Sequence, residues 1–415
     1  MGSASPIVRE KRGVFPYSRH YTSFLNGSPK RDSSICIAVT KHNQDNEKLM
    51  SITRRNGFSA TLLFIFAISA TPALADSSSV KERTVTKVAD GIYEIRHSDA
   101  PNSFPQGNTT VIIGDRDVLV VDSCYLPSSA REDIAQIHKW TDKPVRYLVN
   151  THWHADHTRG NATYAQAFPS INIVSHTATR ELIKGNYADH PENAVMIVQR
   201  DLPVYRRWLK AGKNDDGVAL STEDRKELEA TLAGADSVVA EFTGLVPRLP
   251  DLTFERELDL DLGGLQVQIE FLGRGNTAGD AIVFLPKEKI LIAGDLVVHP
   301  GPFMGSGFPS EWSKALKKMI EMNPQIIIPG HGELLHDTTY LSELQELAQT
   351  VVEQVKVQYY RLTNRATLQD VKKAINMELL KKRFGVYFKD DAQNGEPYLD
   401  LDGLIKVTYE EIQPR

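Results

Sequence analysis

Four times along this chain a short apolar run stops and gives way at once to residues able to hold a metal or a proton. "VLVV" is followed by Asp122, "YLV" by Asn150, Thr151 and His152, "ILIAG" by Asp295, and "IIIP" by Gly330 and His331. Runs of this length, rich in β-branched residues and bounded by Gly, Pro or Asp, read as buried strands. If the strands share a sheet, their ends lie on one rim, which is where layered α/β folds keep their ligands. The pattern constrains both the fold and the place where chemistry is expected.

The densest cluster is "THWHADH", residues 151–157. Each His brings two ring nitrogens that need partners, so three so close together call for a common explanation. On an extended segment His152 and His154 point the same way. Asp156 and His157 continue around a turn and can face a second point nearby. Neutral imidazole with carboxylate is a zinc ligand set, and two such ions bridged by an Asp can activate one water. Trp153, between two of these residues, is expected to pack rather than to react.

Strand text before the cluster ("TVTKVADGIYEIRH", "NTTVIIGD", "DVLVVDS") alternates with a helix expected from Ser128 or Ser129 to about Trp140, the pattern of an α/β layered domain. Residues 176–250 read as a helical insertion, with Ser221 and Asp224 placed as a capping box. Strand text then resumes, and a helix follows Ser310. From Thr338 to about Arg383 the chain reads as helical, ending in an irregular tail. The expected divisions are a main domain over 76–350 and a C-terminal helical extension over 351–415.

The first 75 residues read differently. Arg54 and Arg55, an apolar run of 13 from Phe58 to Ala70, and Ala73-Leu74-Ala75 make a signal peptide over 50–75, too short to stay as a membrane anchor. Residues 1–49 are expected to be a non-native or disordered extension, with translation beginning at Met50, so a periplasmic or secreted protein is expected. The first 49 residues carry +4 and the next 26 carry +2, which leaves −11 of the total −5 on the rest. So acidic a body repels phosphate backbones, and no nucleic acid partner is expected. Cys124, alone beyond residue 75, can make no internal disulfide.

The sequence resembles the metallo-β-lactamase-fold hydrolase superfamily. "THWHADHTRGN" matches its HxHxDH signature, and "AGDLVVHP" and "PGHGE" match its later motifs in order. The resemblance covers most of 80–350 and implies a four-layer αβ/βα sandwich with one or two zinc ions along one edge. By position, His152 and His154 would hold the first metal. Asp156, His157 and His331 would hold the second, Asp295 would bridge, and Asp122 would orient the ligands. One position departs: in "FLGRGNTAGD" the expected third His is Asn276. Two readings stay open, a harmless variant with both sites filled, or a weak amide-oxygen ligand with a poorly filled first site.

The function expected is that of an exported zinc-dependent hydrolase, in which metal-bound hydroxide attacks an amide- or ester-type carbonyl and Asp156 holds or accepts a proton. A β-lactam or a lactone is the candidate substrate. Phe303, Met304, Phe308 and Trp312 are candidates for an apolar substrate wall, and "PNSFPQGN", 101–108, for a mobile flap. The alternatives are a periplasmic binding protein with a vestigial site, which the retained Asp156 and Asp295 disfavour, and a thioester hydrolase of glyoxalase type, which usually keeps the third His.

Overall fold

The computed structural model describes residues 82–413 apart from 216, 305–306, 363–365 and 386–400. The extension expected over 1–49 and the signal peptide expected over 50–75 lie outside the described residues.

Twelve described strands form two sheets. The first runs β1 (Thr84–Ala89), β2 (Ile92–Arg96), β3 (Thr109–Ile113), β4 (Val118–Val121), β5 (Val145–Asn150), β6 (Asn172–His176), β7 (Leu252–Phe254), in that spatial order. Its first four strands pair antiparallel and its last four parallel, because the later connections pass through helices. The second sheet has the order β12 (Ile326–His331), β11 (Ile290–Val298), β10 (Ala281–Leu285), β9 (Gln266–Phe271), β8 (Glu257–Asp261).

Alternation along the strands builds the layers. On β4, Leu119 and Val121 face a core shared with Val267, Ile269, Val283 and Ile328 of the second sheet. Val118 and Val120 face the other way, onto Ala130, Ile134 and Ile137 of α1 (Pro127–Trp140) and Tyr164 of α3 (Asn161–Ala167), which follows the single turn α2 (Ala155–Thr158). On β11, Leu291 and Ala293 pack outward with Trp312 and Leu316 of α8 (Pro309–Glu321) and Leu344 and Val351 of α9 (Thr339–Arg361). Helix, sheet, sheet, helix is the four-layer αβ/βα sandwich expected. The apolar text of β4 and β11 is continuous because both faces of each strand are buried.

The insertion comprises α4 (Thr177–Ile183), a π-helical turn (Lys184–Ala188), α5 (Asn193–Arg200), α6 (Leu202–Ala211) and α7 (Thr222–Phe242), and the Ser221/Asp224 capping box is present. Three readings need correction. Neither Ser128 nor Ser129 caps α1: Pro127 takes the first turn, which its fixed φ suits, and the Ser128 hydroxyl donates to Glu241 Oε1 at 2.6 Å. The boundary at 350 falls inside the unbroken α9. The irregular tail contains a helix, α12 (Leu401–Ile412), which follows α10 (Leu368–Ala374) and α11 (Met377–Phe384). Leu401, Leu404 and Ile405 of α12 join the core outside the second sheet, so tertiary burial stabilises a helix too short to stand alone. Among the described residues no helix is long and apolar enough to cross a membrane.

Candidate metal centre

The strand-end residues meet on one edge of the two sheets. His152, His154 and Asp295 form one group whose ligand-type atoms all lie within 4.8 Å of one another, and Asp156, His157 and His331 form a second. Within the first, His152 Nε2 and His154 Nδ1 are 2.9 Å apart. Within the second, His331 Nε2 lies 3.0 Å from Asp156 Oδ2 and 3.2 Å from His157 Nε2. Asp295 stands between them, with Oδ2 3.5 Å from His152 Nε2 and Oδ1 3.2 Å from His157 Nε2. The structure thus brings together His152, His154, Asp156, His157, Asp295 and His331.

Asp122 sets the direction of the rings. Its Oδ2 accepts from His157 Nδ1 at 2.8 Å and from the Thr151 hydroxyl at 2.7 Å, and its Oδ1 accepts the Thr151 N–H at 2.8 Å. With His157 Nδ1–H engaged, Nε2 is left to face the cluster. The Thr151 hydroxyl also lies 3.1 Å from His152 Nδ1, so one carboxylate orients His157 directly and His152 through Thr151. The carboxylate is aimed by a left-handed backbone at Asp122 (φ 59°), a conformation Asp tolerates better than most residues.

Asn276 is fully buried, and its Nδ2 donates to Asp295 Oδ2 at 3.4 Å, the same oxygen that faces His152. Asp280 fixes its turn by accepting from the Gly275 and Thr277 N–H groups and the Thr277 hydroxyl, at 3.0, 2.8 and 2.8 Å. Burial pushes Asp280 up to about 6 despite those bonds. Asn276 Oδ1 and Asp295 Oδ1 are buried with no hydrogen-bond partner. Orphan acceptors of this kind are rare in folded proteins, and a cation in the cluster would satisfy both. The donor set of imidazole, carboxylate and one amide fits a divalent metal.

The electrostatics agree. Burial pushes His154 down to about 4 and His152 well below the usual range, so both rings are neutral, as ligands must be. Burial also disfavours charge on His157 and His331. For His157, Asp295, Asp156 and Asp122 outweigh it; for His331, Asp295 and Asp156 do, and both rings are raised. Burial alone would raise Asp156, but His157 and His331 hold it at about 2. Three carboxylates draw positive charge inward, and either protons or a cation can supply it.

The remaining candidates divide. Phe303 and Phe308 are half-buried beyond β11, with the Arg274 guanidinium 4.0 Å over the Phe308 ring. Trp312 does not belong to a substrate wall: it is 1% exposed and its indole N–H donates to Leu296 O at 2.9 Å. Met304 is also core. Trp153 packs against Tyr187 as expected. The end of the supposed flap is fixed, since Gln106, Gly107 and Asn108 are buried and Asn108 N–H donates to Gly330 O at 2.7 Å.

Sequence reasoning missed Thr151, Asp280, Asn108 and Arg159. Arg159, two places after His157 and 6% exposed, lies 4.4 Å over the Tyr187 ring and 4.8 Å over that of Phe242, joining the ligand loop to the insertion. All four lie within stretches singled out in the sequence, Thr151 and Arg159 in 151–161, Asp280 at the end of 271–280 and Asn108 at the end of 101–108, but their partners are set by the fold. A further buried group, His97, Cys124 and Asp133, already has a cation, because Arg83 Nη2 donates to Asp133 Oδ1 at 2.9 Å.

Residues 103–331 match the family model described as the metallo-beta-lactamase superfamily. The chain belongs to that superfamily. It is 26% identical over 266 residues to a linear primary-alkylsulfatase of Pseudomonas sp. (strain ATCC 19151), which covers 61% of this chain and 46% of that protein. It is 25% identical over 233 residues to a metallo-beta-lactamase type 2 of Bacillus cereus, which covers 55% and 67%. A match to the 2,4-dinitroanisole O-demethylase subunit alpha of Nocardioides sp. (strain JS1661) is 25% identical and covers 54% and 52%. The chain thus spans about half the length of the first and third of these relatives. Among solved structures, a metallo-beta-lactamase from Pontibacter korlensis is 18% identical with a TM-score of 0.45, covering 65% of this chain and 99% of that one.

Proposed function

We propose that the protein is an exported zinc hydrolase acting on an amide- or ester-type carbonyl, with a β-lactam or a lactone as substrate. The observation that carries the reading is the pair of His/Asp groups sharing Asp295, with buried acceptors that lack partners. Zinc held by such donors supplies Lewis acidity and a nucleophilic water near neutral pH. The chain's own residues do the rest. Asp122 and Thr151 hold the imidazoles, and Asp295 keeps the two groups in one frame. Asp156, at about 2, stays ionised at neutral pH and suits ligation and hydrogen-bond acceptance better than general base work, for which a value near the working pH is best. Phe303 and Phe308 offer apolar surface to the substrate. The signal-peptide text at 50–75 supports a periplasmic or secreted location.

The test is a substrate panel on zinc-loaded protein: a chromogenic cephalosporin, an aliphatic lactone, a p-nitrophenyl ester and an alkyl sulfate. The sulfate ester is included because the relative matched over 61% of this chain is an alkylsulfatase. Chelator-sensitive turnover of the lactam, lactone or ester supports the reading. Turnover of the sulfate alone moves the reaction from carbonyl to sulfate chemistry, and no turnover from fully loaded protein favours the binding-protein alternative.

A further inference from the structure

The ligands of the second group come from opposite sheets. Asp156 and His157 follow β5 of the first, whereas His331 ends β12 of the second. Nothing in the primary sequence fixes the distance between those two loops, and a metal site tolerates errors of only about 0.2 Å in ligand distance. Two consecutive residues of the segment before β3 touch both loops. Gly107 N–H donates to Asp156 O at 3.2 Å, and Asn108 N–H donates to Gly330 O at 2.7 Å. The Asn108 amide adds donations to Pro329 O at 3.1 Å and Gly332 O at 3.0 Å, so it holds the carbonyls on both sides of His331. Its longer contact to Glu94 Oε1, at 3.3 Å, ties it to β2.

Gly107 also lies flat against a ligand. A Cβ at this position would sit 2.4 Å from His157 Cε1 and 2.7 and 2.8 Å from its two nitrogens, so only a residue without a side chain fits there. The Gly107 carbonyl is in turn fixed by His97, whose Nδ1 lies 2.8 Å away. His97 Nε2 is 2.9 Å from Asp133 Oδ2, on α1. His97 thus bridges the Gly107 carbonyl and the Asp133 carboxylate. His97 and Asp133 are 4% and 0% exposed, and His97 reaches the ligand loops through Gly107. A chain of contacts therefore runs from α1 through His97 and Gly107 to Asp156 and His157, and through Asn108 to His331.

We propose that Gly107 and Asn108, anchored by His97 to Asp133, form a clip that fixes the separation of the Asp156–His157 loop from the His331 loop and thereby sets the metal affinity of the second group. His97 and Asn108 are positioning residues: they act on the metal through the ligands they hold. The inference rests on the metal-dependent reading above and deepens it.

Two substitutions of His97 separate positioning from bulk stability. His97→Phe keeps the ring shape and removes both hydrogen bonds. His97→Asn also removes the bond to Asp133, but its amide nitrogen falls near the place of Nδ1 and can still donate to Gly107 O. The two disturb Asp133 alike and differ at Gly107. Full-length apo protein is titrated with zinc against a chelating indicator, in the native background and in a His154→Ala background that leaves the second group to report alone. His97→Phe and Asn108→Ala are expected to weaken the second group about 10-fold or more, the range seen when the partner of a ligand is lost. The first group should stay within about 2-fold of native, and His97→Asn should recover most of the loss. Native affinity in all variants overturns the clip, as does an equal loss at both groups or no recovery in His97→Asn. A variant too unstable to titrate is replaced by Asn108→Ser, which keeps the backbone donor and loses the amide; for it native second-group affinity counts against the clip and a selective loss for it. A native protein that takes up no zinc overturns the metal reading and the clip together, whereas native uptake with unaffected variants overturns the clip alone.

Discussion

Asn276 decides how equal the two donor groups are. Its buried, unpartnered Oδ1 and its amide contact with Asp295 Oδ2 put a neutral, hard donor where the superfamily motif carries imidazole. Apo protein titrated with zinc should therefore show two unequal affinities, and Asn276→His should tighten the weaker by about 10-fold while leaving the stronger nearly unchanged. Two equal sites, unmoved by the substitution, would mean that position 276 holds no metal. Glu94 carries a second prediction at this scale. Burial pushes it up to about 7, with Glu333 adding and Arg96 opposing. The folded protein thus binds this proton more tightly than the unfolded chain, where the value is 4.5. The resulting stability is complete below pH 4.5 and is lost as pH rises through about 7. Urea unfolding of apo protein at pH 5 and pH 7.5 should show the native loss of stability between the two shrink by about 2 kcal/mol in Glu94→Gln. An unchanged loss would show that Glu94 is ionised in the fold.

Among the elements, α7 shows why a propensity rule fails at a contact. Gly234 lies inside this 21-residue helix, where Ala would ordinarily add about 1 kcal/mol. A Cβ there would stand 1.7 Å from Pro101 O, backbone that has no rotamer to move. Steric cost should win, and Gly234→Ala should destabilise by about 1–3 kcal/mol net, read as a lower urea midpoint. A stabilised variant would show that α7 is not seated on the 101–104 segment. The elements themselves were legible where periodicity and caps agreed, as in the Ser221/Asp224 start of α7. They were not where a distant partner takes over: Ser128 bonds Glu241 from 113 positions away rather than capping α1. Similarly, α12 owes its order to the core outside the second sheet.

Taken whole, the molecule places ligands from both sheets on one edge, so a bound ion ties the two halves of the sandwich together. Zinc at 100 times its dissociation constant should stabilise the fold by about 2.7 kcal/mol, and a chelator should remove that gain. An unfolding midpoint indifferent to both would count against a site that spans the sheets. The sequence by itself determined the donor types, their order and their position at strand ends, because strand periodicity and the HxHxDH spacing are local properties. It also marked Asn276 as the departure. Only the tertiary structure decided which donors share a group, that Asp295 stands between the groups, and that Trp312 is core while Asn108 is a clip. Those facts depend on contacts between residues far apart in the chain, Asn108 and Gly332 being 224 positions apart, and such distances are fixed by the packing of the two sheets.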